Sequence, residues 1–145
     1  MSADQPQPNI IHASCVTLGG RGLLIKGPSG SGKSALALQL MAFGAMLVAD
    51  DRVVVKVRNG EVFASAPPTL KGLIEARGIG LLNADAALES VVVGVVDLAH
   101  LEEKRLPEHS KVTIGGCDIP LFYAVNEPHF TASLLQFLKA GRSDR

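Results

Sequence analysis

The residues best placed to do chemistry are Gly27-Pro28-Ser29-Gly30-Ser31-Gly32-Lys33-Ser34, which fit G-x-x-x-x-G-K-[ST]. Glycines tolerate positive φ, so backbone N–H groups can converge on a phosphate that approaches closely. Lys33 adds a full positive charge, a following helix adds the partial charge of its N-terminus, and the Ser34 hydroxyl offers a ligand for Mg²⁺. The four fixed positions match by chance roughly once in a few hundred chains of this length. The competing reading is a Gly/Ser-rich turn that happens to carry a lysine. The flanks decide against it, because an apolar strand pattern, Gly22–Lys26, leads in and a helical pattern, Ser34–Phe43, leads out. The stretch predicts a P-loop that binds a nucleoside triphosphate or a similar polyphosphate.

A second set is Asp50-Asp51, which closes the apolar run Met46–Ala49. Carboxylates there can hold Mg²⁺ or its waters, and one of them can take a proton from an attacking hydroxyl. Neighbouring residues on a strand point opposite ways, so one of the two should face the nucleotide. The alternative is a pair of solvated turn residues. Asp97 closes another apolar run, Val91–Val96, and is a rival metal-binding carboxylate. Glu75 and Arg77 share a parity and would face one way in an extended segment, as a site or as a solvated ion pair.

These residues need elements to position them. Asn9–Leu18 reads as a strand, Gly19-Gly20 as a turn, and Arg21–Lys26 as the returning strand. Counting from Leu18 opposite Arg21 places His12 opposite Gly27, which makes it a candidate for phosphate contact or proton handling as well as a plain structural histidine. Strand, crossover helix and strand form a right-handed βαβ unit, so Met46–Ala49 should run parallel to the strand before the loop and carry Asp50 to the same sheet edge. Arg52–Arg58 and Glu61–Ala66 alternate around Asn59-Gly60, a hairpin signature. Thr69–Gly80 is dense in glycine with poor periodicity and reads as a loop held in a particular shape. A last hairpin turns at Gly115-Gly116, and Asn126, Glu127 and Pro128 open a helix with Phe130, Leu134, Phe137 and Leu138 on one face. Hairpins on both sides of a βαβ unit imply a mixed sheet.

The whole chain bounds these readings. Its 145 residues suit one domain, expected over 9–145 after a disordered lead over 1–8. A domain of this size buries roughly 68–70% of its unfolded surface. Fourteen basic and fourteen acidic residues cancel, so no global field calls for nucleic acid or an anionic membrane. Cys15 and Cys117 lack metal-ligand spacing and fit a pair of buried thiols. No apolar run has the length of a membrane span, and the polar start lacks the core of a signal peptide, so a cytoplasmic protein is expected.

Several segments together resemble one family. The His12 strand, the loop at 27–34, Val48-Ala49-Asp50-Asp51 and Leu73-Ile74-Glu75-Ala76-Arg77-Gly78-Ile79-Gly80 resemble the catalytic domain of bacterial HPr kinase/phosphorylase. The last two are the discriminating ones, and the likeness runs from about His12 to Leu106. The resemblance implies an α/β P-loop fold of the PEP carboxykinase-like kind, a mixed sheet with flanking helices and antiparallel hairpins. It implies a short form without the N-terminal domain of the long members. It implies a kinase that uses ATP and Mg²⁺ to phosphorylate a seryl hydroxyl on the phosphocarrier HPr, and that reverses this by phosphorolysis, consuming phosphate and releasing pyrophosphate. Asp50 would be general base forward and general acid in reverse. Lys33 and the loop N–H groups would hold the β-phosphate, Ser34 with Glu75 would bind Mg²⁺, and His12, Ser29, Asp51, Arg77 and Arg105 would complete the phosphate surroundings. The family also implies a homo-oligomer, a hexamer. Ala13 stands where the family typically has glycine, and the segment after Asn83 is short.

Two other readings stay open on the residues themselves. One is a P-loop kinase of a small metabolite; the other is a non-catalytic ATP-binding sensor. Retention of Asp50 and Glu75 beside the loop speaks against the sensor, which needs the loop but no base.

Overall fold

The computed structural model describes residues 9–144, so the expected disordered lead lies outside the described residues. In chain order the elements are β1 (Asn9–Ile11), β2 (Ala13–Leu18), β3 (Arg21–Lys26), α1 (Lys33–Ala42), β4 (Met46–Ala49), β5 (Val53–Arg58), β6 (Glu61–Ser65), β7 (Leu73–Ala76), β8 (Gly80–Asn83), β9 (Ser90–Leu101), β10 (Ser110–Ile114), β11 (Cys117–Ala124) and α2 (Phe130–Ala140). Nine strands form one mixed sheet in the order β1-β5-β6-β9-β3-β2-β4, with β11 also paired to β9 and β10 beyond it. β3, β9 and β11 run parallel, and the antiparallel pairs are the hairpins β2–β3, β5–β6 and β10–β11 together with β1–β5, β2–β4 and β6–β9. Among the described residues no helix is long and apolar enough to cross a membrane.

The expected β2–β3 hairpin forms with Leu18 opposite Arg21. β4 does run in the direction of β3, but it does not neighbour it: β2 lies between them and is antiparallel to both. The crossover helix therefore spans the hairpin partner as well. The single strand expected over Asn9–Leu18 is two, because the chain bends at His12 and changes partner, β1 pairing with β5 and β2 with β3. The segment Thr69–Gly80 is not a loop throughout. It contains β7, which pairs with β8 in a separate two-stranded sheet, and Ile74 and Ala76 bury one face of it.

Alternation sorts the apolar side chains onto the two faces of the sheet. Val16, Leu23, Ile25 and Leu47 pack with Leu36, Ala37 and Leu40 of α1, Leu134, Leu135 and Leu138 of α2, and Ile74 of β7. Cys15, Leu24, Val48 and Ala49 pack on the other face with Val53, Val55 and Val62. Each fully buried Leu or Ile contributes about 1.5–3 kcal/mol relative to exposure. Gly94 gives α2 its seat, since a Cβ there would lie 2.7 Å from the Phe137 ring.

β4 breaks its own alternation. Cys15 opposes Ala49 but Val16 opposes Leu47, leaving Val48 as an extra residue in the strand. A bulge of this kind re-aims the side chains beyond it. Leu47 faces the helices, Val48 and Ala49 both face away, and the next residue returns to the helix side. That next residue is Asp50.

Of the two cysteines, Cys15 is buried as expected, while Cys117 is only half-buried. Burial alone pushes the Cys15 thiol up to about 12.

Candidate functional site

The loop between β3 and α1 folds around its own lysine. Lys33 is 8% exposed, and its Nζ donates to the carbonyls of Gly27 at 2.9 Å and Pro28 at 3.1 Å. An ammonium has three donors, so one remains for an outside acceptor. Gly27 has φ 153, and a Cβ there would lie 2.5 Å from Ser31 Oγ, so no larger residue fits this corner. Gly32 enters the helix at φ 96. α1 has no side-chain cap and no acidic residue in its first turn, so its first amides face outward unneutralised. A helix N-terminus in this state, with an ammonium beside it, attracts an anion.

The bulge in β4 brings Asp50 against this loop. Asp50 is 5% exposed, and its Oδ1 accepts from Ser34 Oγ at 2.7 Å and from Ser14 Oγ at 2.6 Å. Its Oδ2 accepts from the backbone N–H of Glu75 at 3.0 Å. One carboxylate thus ties together the first turn of α1, β2 and β7. Ser14 was not singled out from the sequence. The signal was available: it is a polar residue of the same parity as His12 on a mostly apolar strand.

Asp51 has the opposite surroundings. It takes φ 70, and Arg52 N–H closes a three-residue turn onto Asp50 carbonyl at 2.8 Å. That geometry is uncommon and strained for a residue with a side chain. Asp51 is exposed, and its Oδ1 lies 2.9 Å from His12 Nε2, with Arg52 Nε 3.9 Å from Oδ2. His12 and Asp51 line an open hollow with Ile10, Ile11 and Arg52.

The remaining candidates are less tightly held. Glu75 stands on β7 opposite Leu81, exposed, while its own backbone holds Asp50. Arg77 lies exposed in the β7–β8 turn, and Arg105 lies exposed in the connector after β9. Among the described residues neither arginine side chain has a hydrogen bond or ion pair, and neither is joined to the Asp50 cluster. Ser29 and Gly30 lie exposed on the loop. Asp97 does not end its strand as the sequence suggested. β9 continues to Leu101, and Asp97, opposite Lys26, has its Oδ1 accepting from Ala99 N–H at 2.9 Å.

The oxygen donors at the loop, Ser34 Oγ and the Asp50 carboxylate that it touches, suit a hard divalent cation, and Glu75 adjoins them through its backbone N–H on Asp50. Among the described residues no three His, Cys, Asp or Glu side chains converge into a closed metal cage. Mg²⁺ fits such a site, because it keeps waters and takes phosphate oxygens with only one or two carboxylates. A separate cavity of about 130 Å³ between β11 and α2, lined by Phe122, Tyr123 and Arg142 among others, contains none of these residues.

The chain matches the model of the HPr serine kinase C-terminal domain over residues 5–97, which includes every site candidate except Arg105. It is 38% identical over 141 residues to the HPr kinase/phosphorylase of Lacticaseibacillus casei, covering 92% of this chain and 42% of that protein. It is 33% identical over 108 residues to the HPr kinase/phosphorylase of Mycoplasma mycoides, covering 70% of this chain and 34% of that protein. The chain therefore spans well under half the length of these relatives. Its fold is similar to the solved Hpr(Ser) kinase/phosphatase of Coxiella burnetii, with a TM-score of 0.72, 25% identity, and coverage of 90% of this chain and 93% of that one. Sequence and fold agree, and the chain belongs to the HPr serine kinase C-terminal domain family.

Proposed function

We propose that this chain is an ATP- and Mg²⁺-dependent kinase domain that phosphorylates a seryl hydroxyl of the phosphocarrier HPr and reverses the reaction by phosphorolysis. The observation that carries this reading is the Asp50 carboxylate, buried against Ser34 at the mouth of a loop that offers a lysine and free amides. Lys33 and the loop from Gly27 to Ser34 hold the β-phosphate, the loop through its N–H groups other than that of Ser31; Pro28 has none. Ser34 and Glu75, with Asp50 adjoining, hold the Mg²⁺ ion, which when bound neutralises charge on the β- and γ-phosphates.

A carboxylate has about four lone-pair sites. Three donors occupy sites on Asp50, leaving one on Oδ2. In the kinase direction that site receives the seryl proton as the seryl oxygen bonds to the γ-phosphorus and the bridge to the β-phosphate breaks, releasing ADP. In reversal an oxygen of inorganic phosphate attacks the seryl phosphorus. The bond to the seryl oxygen breaks, Asp50 returns the proton to that oxygen, and pyrophosphate leaves. His12, Asp51 and Ser29 lie at the rim, where incoming phosphoryl groups pass, and Arg77 and Arg105 supply further positive charge.

We also propose a single domain over 9–145, working in the cytoplasm as a homo-oligomer, with a hexamer as the specific form. Large apolar side chains exposed at Ile79 and Leu81 on the β7–β8 hairpin support a surface covered by another copy. Incubation of the purified chain with HPr, Mg²⁺ and γ-labelled ATP tests the function. Label on an HPr serine is the expected result. Label on a metabolite instead would favour a small-molecule kinase, and ATP binding with transfer to neither would leave a sensor.

A further inference from the structure

We infer that the cavity between β11 and α2 is a site for a free apolar amino acid, held as its zwitterion. The body of the cavity is apolar. Phe122 of β11 lines it together with Phe130, Leu134 and Phe137 of α2, and the Phe122 and Phe137 rings meet edge to face at 4.8 Å. A dry apolar cavity of about 150 Å³ accepts a benzene ring. At about 130 Å³, this one takes a branched aliphatic side chain. No residue of the loop or of the Asp50 cluster lines it, so its occupancy is independent of the phosphate-site reading.

Charges of both signs share this cavity. Arg142 is half-buried, with its guanidinium 4.8 Å over the Phe122 ring, and among the described residues its side chain makes no hydrogen bond or ion pair. A guanidinium so placed keeps its in-plane N–H groups for a carboxylate. Glu102 and Glu108 line the same cavity. The Glu102 carboxylate accepts from Lys104 N–H at 3.2 Å, and Glu108 has no side-chain partner among the described residues. Among those residues neither carboxylate pairs with Arg142. Half-buried charges that do not neutralise one another call for a ligand that does. A fatty acid would leave both carboxylates unpaired, and an alkylamine would leave the guanidinium so. An amino acid satisfies all three groups, with its carboxylate on Arg142, its ammonium on Glu102 and Glu108, and its side chain among the rings. An apolar body with a few polar groups that fix orientation is the make-up of small-molecule sites.

Calorimetry on the purified chain with L-leucine tests this, beside isocaproate, which lacks the ammonium, isopentylamine, which lacks the carboxylate, and glycine, which lacks the apolar side chain. L-Leucine should bind more tightly than each of the three by about tenfold or more, the worth of one hydrogen-bonded charge. Arg142→Gln should weaken leucine by about tenfold and isopentylamine by less than about twofold. The double change Glu102→Gln and Glu108→Gln should do the same to leucine and spare isocaproate. Ser133→Phe sets a ring at the cavity from an exposed position of α2 and should abolish leucine binding. Circular dichroism and the thermal transition report that each variant folds. Isocaproate or isopentylamine bound as tightly as leucine overturns the assignment. So does leucine affinity unmoved in the charge variants, leucine still bound by a folded Ser133→Phe, or a parent that binds none of the four probes.

Discussion

Asp50 and Asp51 are consecutive carboxylates with opposite surroundings. Asp50 is 5% exposed and accepts from two hydroxyls and a backbone amide. Asp51 is exposed, stands at φ 70 and meets His12 at the rim. Simple alternation says only that the two diverge. What decides which one turns inward is the extra residue Val48, which shifts the register of β4 on β2 just before the pair. The inner carboxylate is held by buried and half-buried donors, and the outer one by an exposed partner that water can replace.

The largest test of that contrast is the pair of isosteric changes Asp50→Asn and Asp51→Asn. In the first, the new amide would keep an oxygen for Ser14 and Ser34 but could not accept a seryl proton. Phosphotransfer should fall by roughly 10²–10⁴-fold, the range that general acid–base catalysis supplies. Asp51→Asn should cost less than about tenfold. Steady-state rates on HPr at saturating MgATP check both. A reversed ranking would make the exposed Asp51, with His12, the proton acceptor.

Ser14→Ala comes next and reads out in stability. It removes one buried donor from Asp50 and leaves the carboxylate to Ser34 and Glu75. Loss of one hydrogen bond to a buried charge should cost about 1.5–3 kcal/mol, seen as a lower urea midpoint with unchanged slope. His12→Gln, at the rim, should cost less than about 1 kcal/mol. Equal costs would mean that the rim pair is as structural as the inner cluster.

Cysteine offers the same inner and outer comparison. Cys15, next to Ser14, has its thiol pushed up to about 12 by burial, while Cys117 is half-buried. A thiol reagent at pH 8 should modify Cys117 in the folded protein and reach Cys15 only on unfolding. The Cys15 contribution is unchanged below the ordinary thiol value of 9.0. It declines as pH rises from there toward about 12, because the unfolded chain loses the proton first. Urea midpoints of parent and Cys15→Ala between pH 8 and 10 measure it, and the gap between them should narrow.

Local signals made much of this legible in the sequence. The loop, its strand and its helix have fixed spacings, and Gly19-Gly20, Asn59-Gly60 and Gly115-Gly116 mark hairpins through their turn chemistry. Non-local pairing was not legible. Nothing in the letters of β2 says that it separates β3 from β4, or that Asn9–Leu18 changes partner at His12. β7 escaped notice because Gly72, Gly78 and Gly80 crowd a four-residue strand whose alternation, Ile74 and Ala76 inward, is too short to stand out. The Val48 bulge is a property of the paired register and has no composition of its own, so the inward turn of Asp50 onto Ser14 could not be read before the fold.

The smallest effect belongs to Asp51 itself. Its φ of 70 lies where an L side chain meets a steric cost that glycine avoids. Asp51→Gly should relieve that cost in the folded state and add backbone freedom to the unfolded one, and the two terms, each about 1 kcal/mol, oppose. The change also removes the contact with His12, whose side chain is 52% exposed against 59% for Asp51. Solvent screens such a pair to between zero and about 1 kcal/mol. The net change in unfolding free energy should stay within about 1 kcal/mol, whereas Asp50→Gly strands two hydroxyls and an amide in the interior and should cost several times more. Urea titrations of the two glycine variants and the parent give the ratio directly. A loss above about 2 kcal/mol for Asp51→Gly would show that the γ-turn and its His12 contact fix the strand end, and that the bulge alone does not hold Asp50 in place.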